Sequence, residues 1–385
     1  MKQSKPFSVL FLILFFSSVC LSYSSDTIKP GEILHSNETL ISSNGMFELG
    51  FFSSDDSSNE YLGIWFKNDT NKKAVWIANR EEPLVDSSGF LSFNSQGNLV
   101  VNDVRTKPIP VNVGEGATSN DTRAKLLDSG NFLLLQGEET IWESFSYPTD
   151  TFLPGMKLGV FNIGKEKRKQ FIVSWLSLSD PSGGSFSLGL NVGNMTQLQV
   201  WREDQAYLSI GYWDGKSFRF VLESYSSNYN FSYVSNSHET YITFSNKASN
   251  VVSWFVMAQD GMLNEYRLEN QEISAVNHSL CDEKLQRNSS YCLVLQPCEG
   301  GDDFWEIRGL MPSSSMVVSR ETRRGLSDCE LMCRSNCSCV AYASKNDDRA
   351  RCQLYYGTKN DLLQTMGKGN QTIFSRGPAI PGEFF

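Results

Sequence analysis

Gln96-Gly97-Asn98-Leu99-Val100-Val101 returns 33 residues later as Ser129-Gly130-Asn131-Phe132-Leu133-Leu134. A repeat this short is one supersecondary unit used more than once. In each copy a Gly-Asn pair feeds an apolar run, and the same rhythm spreads outward in both directions. Residues 46–52, 61–66, 74–78, 99–101 and 132–135 are short apolar segments set between Gly, Asn, Asp and Ser. No helical period runs through them. The spacing predicts an all-β barrel, prism or sandwich over roughly 26–154.

The pattern continues to about residue 277 with apolar segments at 173–176, 185–190, 198–201, 218–222, 229–233, 241–244, 251–257 and 263–268. Asp180-Pro181-Ser182-Gly183-Gly184 and Trp213-Asp214-Gly215-Lys216 are turn signals. A second antiparallel β domain is predicted here. From Cys298 the texture changes. Ser327 as N-cap and Glu330 three residues on form a capping box, which predicts a helix start. Cys329 and Cys333 then stand at i and i+4 on one helix face. Residues 338–344 and 351–356 read as flanking strands, giving a small α+β module that needs disulfides because it encloses little core.

The N-terminus reads as a cleaved signal peptide: Lys2 and Lys5, an apolar run at 7–16 (FSVLFLILFF), then small residues to 25. An uncleaved anchor is the competing reading, but the run is short for a bilayer and no second run of about 18 apolar residues follows. The end, 377–385 (GPAIPGEFF), carries no anchor signal. A secreted chain without an anchor is the expectation.

Nine cysteines are present, and Cys20 leaves with the signal peptide. Cys281, Cys292, Cys298, Cys329, Cys333, Cys337, Cys339 and Cys352 remain, an even set confined to the last third. Behind a signal peptide such a set reads as a disulfide framework. Zinc is the competing reading. It is disfavoured because zinc sites use paired C-x2-4-C or His partners, and no His follows His278. No metal and no cofactor are expected.

Asn37, Asn68, Asn120, Asn194, Asn230, Asn277, Asn288, Asn336 and Asn370 each head an N-x-S/T sequon without Pro. Nine such sites in a secreted chain predict a glycan-coated surface. The formal charge of −9 becomes −11 without Lys2 and Lys5. The one basic cluster, 165–169 (KEKRK), is read as a solvated loop, so nucleic acid is excluded as a partner.

Five blocks resemble the bulb-type lectin domains of plant S-locus glycoproteins and S-domain (G-type lectin) receptor-like kinases. They are Phe47-Glu48-Leu49-Gly50-Phe51-Phe52-Ser53, Tyr61-Leu62-Gly63-Ile64-Trp65-Phe66, Val75-Trp76-Ile77-Ala78-Asn79-Arg80, Leu126-Leu127-Asp128-Ser129-Gly130-Asn131-Phe132, and 142–151 (WESFSYPTDT). Ser174-Trp175 with 180–187 (DPSGGSFS) is similar to that family's second domain. Cys329 through Cys333, Asn336-Cys337-Ser338-Cys339 and Ala341-Tyr342-Ala343 resemble its PAN/apple module. The resemblance spans about 26–376.

What it implies is a mostly β fold: a signal peptide at 1–25, a bulb-type lectin domain at 26–154 and a second lectin-like domain at 155–280. A shortened EGF-region remnant at 281–297, a PAN/apple domain at 298–376 and a tail at 377–385 complete it. Kinase motifs are absent: there is no Gly-rich loop with a downstream Lys, no HRD and no DFG. By resemblance to PAN modules Cys329–Cys352 and Cys333–Cys339 pair, leaving Cys298–Cys337. Cys281–Cys292 is the expected remaining pair, although sequence alone leaves connectivity open.

Bulb-type lectins bind mannose with a strand pattern Gln-x-Asp-x-Asn-x-Val-x-Tyr, whose alternate residues face one way. Aligned on Asn98, this chain offers Asn94, Gln96, Asn98, Val100 and Asn102, of which only Asn98 and Val100 match. The copy aligned on Asn131 offers Leu127, Ser129, Asn131, Leu133 and Leu135. Both are read as turns entering core strands. If Asn94, Gln96, Asn98 and Asn102 shared one face, a weak sugar contact would survive.

Catalysis has no candidates. His35, His238 and His278 lack a nucleophile motif, and Asp55-Asp56, Glu81-Glu82 and Asp302-Asp303 lie in apparent turns, not as a glycosidase pair. The eight Trp are assigned to β cores. The expectation is an apoplastic, non-enzymatic glycoprotein binding an extracellular protein or peptide, including S-domain receptor kinase ectodomains. It would act as soluble co-receptor or decoy, with dimerisation as an option. A mannose-type lectin for cell-wall or microbial glycans is the alternative.

Overall fold

The computed structural model describes residues 25–54, 59–85, 88–103, 107–113, 116–163, 166–203, 205–220, 228–276, 304–318, 329, 332–333, 336–344 and 352–377. Within them the chain is mostly β, in two lectin-like units followed by a PAN-type unit.

Three four-stranded antiparallel sheets form the first unit. One holds Thr39–Ile41, Phe47–Ser53, Glu60–Phe66 and Ala74–Ile77 in that order. The second holds Leu34–His35, Phe90–Phe93, Leu99–Asn102 and Ile109–Pro110, and the third Thr27–Ile28, Thr122–Leu126, Phe132–Gln136 and Glu139–Glu143. Each sheet takes its first strand from the extended N-terminal run and the rest from later hairpins. Thr122, Ala124 and Leu126 are buried while Arg123 and Lys125 are not, the period-two alternation of a sheet wet on one face.

The second unit repeats the plan with three more sheets. Thr151–Phe152, Val251–Met257, Leu263–Glu269 and Glu272–Val276 form one. Glu166–Gln170, Leu158–Ile163, Glu239–Asn246 and Tyr229–Ser235 form another. Ile172–Trp175, Gly183–Asn191, Asn194–Arg202, Gln205–Trp213 and Phe218–Phe220 make a five-stranded third. Thr151 and Phe152, expected in the first unit, pair with Val256 and Phe255 of the second.

One apolar core runs through both units, from Ile64 and Phe132 to Phe186 and Phe255. The Phe66 and Trp254 ring centroids, one from each unit, lie 4.2 Å apart.

The basic cluster corrects the loop reading. Lys167, Arg168 and Lys169 lie in the strand Glu166–Gln170, paired with Leu158–Ile163 at a sheet edge. Charge on an edge strand is itself a deterrent to further strand pairing, so solvation of the side chains did not require a loop.

The last unit is a five-stranded sheet in the order Phe304–Leu310, Gly367–Arg376, Cys339–Ser344, Cys352–Tyr356, Met316–Val318. Cys329, Met332 and Cys333 are helical, while Ser327 and Glu330 of the expected capping box lie outside the described residues. A helix that sequence reading did not anticipate, Lys359–Thr365, is capped by Thr358, whose hydroxyl accepts from the Asp361 N–H. Thr358 and Asp361 stand at capping-box spacing, the signal that was there to be read.

Cys329 is bonded to Cys352, and Cys333 to Cys339. Cys337 is also disulfide-bonded. Cys281, Cys292 and Cys298, assigned by the expected remaining pairs, lie outside the described residues. Arg376 ties this knot to the sheet, donating from Nε to the Cys339 carbonyl at 3.0 Å and from its terminal amine to the Cys333 carbonyl.

Candidate functional site

The residues of the degenerate sugar pattern do not lie along one strand. The strand begins at Leu99, so Asn94 to Asn98 form the hairpin turn that precedes it, and only Val100 and Asn102 are in the strand. The turn closes through Asn94 N–H to Asn98 C=O (2.8 Å) and Gly97 N–H to Asn94 C=O (3.0 Å). Gly97 sits at φ +84°, and a Cβ there would lie 2.5 Å from the Ser119 carbonyl, so glycine is required. This corrects the single-face arrangement: alternation holds for extended backbone, and the chain reverses here instead.

One amide atom on each of Asn94, Asn98 and Asn102 is engaged within the protein. Asn94 Oδ1 accepts from the Gln96 and Asn98 N–H groups at 2.9 and 3.0 Å, an Asx arrangement that holds the turn. Asn98 Oδ1 accepts from Asn112 Nδ2 at 2.8 Å and from the Ala117 N–H at 2.7 Å. Asn102 Nδ2 donates to Ser92 Oγ and to the Val100 carbonyl. Val100 is buried, and Gln96 is exposed in the turn. The second copy closes the same way, with Leu127 N–H to Asn131 C=O at 2.9 Å. Its Asn131 is buried, accepting from Ser144 Oγ and the Phe145 N–H and donating to Glu143.

A recurring device, which sequence reading missed, fixes the three sheets of this unit. In each, a buried polar side chain just beyond the fourth strand accepts the N–H of a residue in the third. Asn79 takes Leu62, Asn112 takes Leu99 and Ser144 takes Phe132, at 2.8, 2.8 and 2.9 Å. Asn79 lies in a quoted block, but nothing in the surroundings of Asn112 marks it.

Arg80, in one of the quoted blocks, reaches across to the second unit. Its guanidinium donates to the carbonyls of Pro181 (2.7 Å), Ser174 (3.0 Å) and Val173 (3.3 Å), all in the second unit. Glu81 accepts from the Gly183 N–H at 2.8 Å, and Ser54 Oγ donates to the Ser179 carbonyl at 2.6 Å. Burial lowers the Arg80 pKa and raises that of Asp150, against the pull of Asp150, Glu81 and Asp180 on the first and of Arg80 and Lys73 on the second. The Val75–Arg80 block and the 174–187 block therefore join the two lectin-like units.

Along the same seam lie three cavities of about 530, 430 and 400 Å³. The first two share Asn71, Lys73 and Tyr266; Lys73 Nζ is 3.1 Å from the Tyr266 hydroxyl and 4.6 Å from its ring centre. Among the described residues no group of His, Cys, Asp and Glu is placed to hold a metal ion, and no helix is long and apolar enough to cross a membrane.

The fold and site define a lectin-type chain with a PAN-like unit, and comparison with known proteins agrees. The family model for D-mannose binding lectins matches residues 73–176, and that for PAN-like domains matches residues 298–362. The chain's homologues are S-locus glycoproteins and G-type lectin S-receptor-like kinases, which align over 90–97% of its length. It is 32% identical to the G-type lectin S-receptor-like serine/threonine-protein kinase CES101 of Arabidopsis thaliana, over 90% of this chain and 46% of that one. Against the receptor-like serine/threonine-protein kinase SD1-8 of Arabidopsis thaliana the figures are 29%, 97% and 49%. Against the S-locus-specific glycoprotein S6 of Brassica oleracea they are 27%, 96% and 96%. The chain thus spans about half the length of these receptor kinases and nearly all of the glycoprotein. Its two matched domains, lectin and PAN-like, are non-catalytic.

Proposed function

We propose that this chain is an extracellular recognition protein that binds a partner protein or peptide through its lectin-like units, as a soluble co-receptor or decoy in the apoplast. The PAN-like unit would contribute to association with receptor ectodomains. The observation that carries the reading is the internal use of the Asn94, Asn98 and Asn102 side chains, which leaves Gln96 as the exposed member of the sugar pattern. Half-buried amides whose Oδ1 or Nδ2 is already paired within the protein offer a sugar hydroxyl less, because binding at those atoms must first break the bonds.

Exposure supports the secreted, glycosylated part of the proposal. Asn37, Asn68, Asn120, Asn194, Asn230, Asn336 and Asn370 are all exposed, as acceptor sites must be, while Asn277 and Asn288 lie outside the described residues. The match to the D-mannose binding lectin model keeps the carbohydrate-binding alternative in play. Affinity purification from apoplastic fluid, with full-length S-domain kinases as candidate prey, tests the main reading. Recovery of a receptor ectodomain supports it, and recovery of none counts against it.

A further inference from the structure

Asn68 stands apart from the other described sequon asparagines in lining the seam. It borders both the 530 Å³ and the 400 Å³ cavities, and so does Gln271. These residues sit on two hairpin tips that face each other across the seam, one from each lectin-like unit. The first tip, between Glu60–Phe66 and Ala74–Ile77, is held by Asp69, whose carboxylate accepts from the Asn71 and Lys73 N–H groups at 2.9 and 3.0 Å. The second joins Leu263–Glu269 to Glu272–Val276 through Asn270 and Gln271 at φ +52° and +69°. A glutamine in this left-handed region is uncommon, since glycine or asparagine takes it with less strain.

We propose that the seam is occupied by the chain's own N-glycan, carried on Asn68 and clasped between the two hairpin tips. The inference rests on the secretory reading, because a sequon is glycosylated only in a chain that enters the secretory pathway. The lining suits a sugar: amides of Asn71 and Gln271, the Lys73 ammonium and the Glu272 carboxylate around Tyr266 and Ile273, with Trp254 behind. Pyranose rings present hydroxyl rims and apolar C–H faces, and mixed polar and aromatic walls match both. The covalent tether supplies the rest. A short flexible link gives an effective concentration of about a millimolar or more, so contacts too weak to hold a free sugar keep a tethered one seated. A seated glycan bridges the two units in addition to the Arg80 contacts.

The test is site-resolved removal of glycans by peptide N-glycosidase F in ¹⁸O-water, on the full chain secreted from human cells, with and without prior denaturation. Release at Asn68 under native conditions is expected to be at least tenfold slower than at Asn37 or Asn194. Gln271→Gly, which relaxes the turn while removing the lip, and Tyr266→Ala are expected to bring Asn68 to the rate of Asn37. Three results overturn the proposal. No label at Asn68 after denaturation means the sequon is empty and sinks the glycosylation reading there. Native release as fast as at Asn37 sinks the clasp alone. Protection that survives both substitutions assigns the shielding to the first hairpin instead of the seam.

Discussion

Arg80 Nε lies 2.7 Å from the Pro181 carbonyl oxygen and donates to it across 101 residues of chain. The same guanidinium reaches Val173 and Ser174, so one largely buried cation satisfies three carbonyls of the second unit. Lysine has no fork to divide among three acceptors.

Arg80→Ala is therefore expected to cost about 3 kcal/mol or more, since it strands buried carbonyls in addition to losing charge-assisted bonds. Arg80→Lys should recover less than half of that. Urea denaturation of the full chain measures both, and a loss below about 1 kcal/mol for Arg80→Ala would show that the carbonyls find other partners.

Asn79→Ala and Asn112→Ala each leave one strand N–H unpaired in the core, at Leu62 and Leu99. Each is expected to destabilise the first unit by about 1–3 kcal/mol. Exposed Gln96→Ala should stay within about 0.5 kcal/mol of the parent. Equal midpoints for all three variants would remove the recurring device from the account.

Asp150 is buried, and burial pushes its carboxyl above the usual value of 3.8 despite the attraction of Arg80 and Lys73. An acid with a raised folded-state pKa gives its full contribution below the unfolded value and loses it as pH rises through the folded one. Asp150→Asn keeps the shape but does not titrate, so its stability relative to the parent should improve from about pH 4 to pH 7. A parental advantage that grows over that range would show that Arg80 outweighs desolvation.

The bonds Cys329–Cys352 and Cys333–Cys339 both lie in the PAN-like unit, and one large apolar core runs through both lectin-like units. Mild reduction should raise amide hydrogen exchange across Cys339–Ser344 and Cys352–Tyr356 while Glu60–Phe66 and Val251–Met257 stay protected. Loss of protection in all four strands together would mean that the units do not unfold independently.

Much of the fold was legible because period-two burial and turn residues report local backbone preference directly. Phe47–Ser53, Leu99–Asn102 and Val251–Met257 fall within a residue of where the pattern puts them. What misled was non-local. Lys167–Lys169 is charged enough for a loop, yet strand pairing with Leu158–Ile163 needs only backbone groups. By contrast, Asn94 to Asn98 close as the turn that the Gly-Asn pair signals, with Gly97 at positive φ reversing the chain. Arg80 and Asn112 owe their roles to partners that no local pattern names.

The central claim is that the mannose pattern of this lectin-like unit has become internal scaffolding. Isothermal titration of the intact protein with mannose and with an α-mannose trisaccharide, up to about 20 mM, tests it most directly. The account predicts no saturable heat, and Asn98→Ala, which releases Asn112 and Ala117, lowers stability without altering the titration. Saturable binding at millimolar concentration that disappears in Asn98→Ala would contradict it.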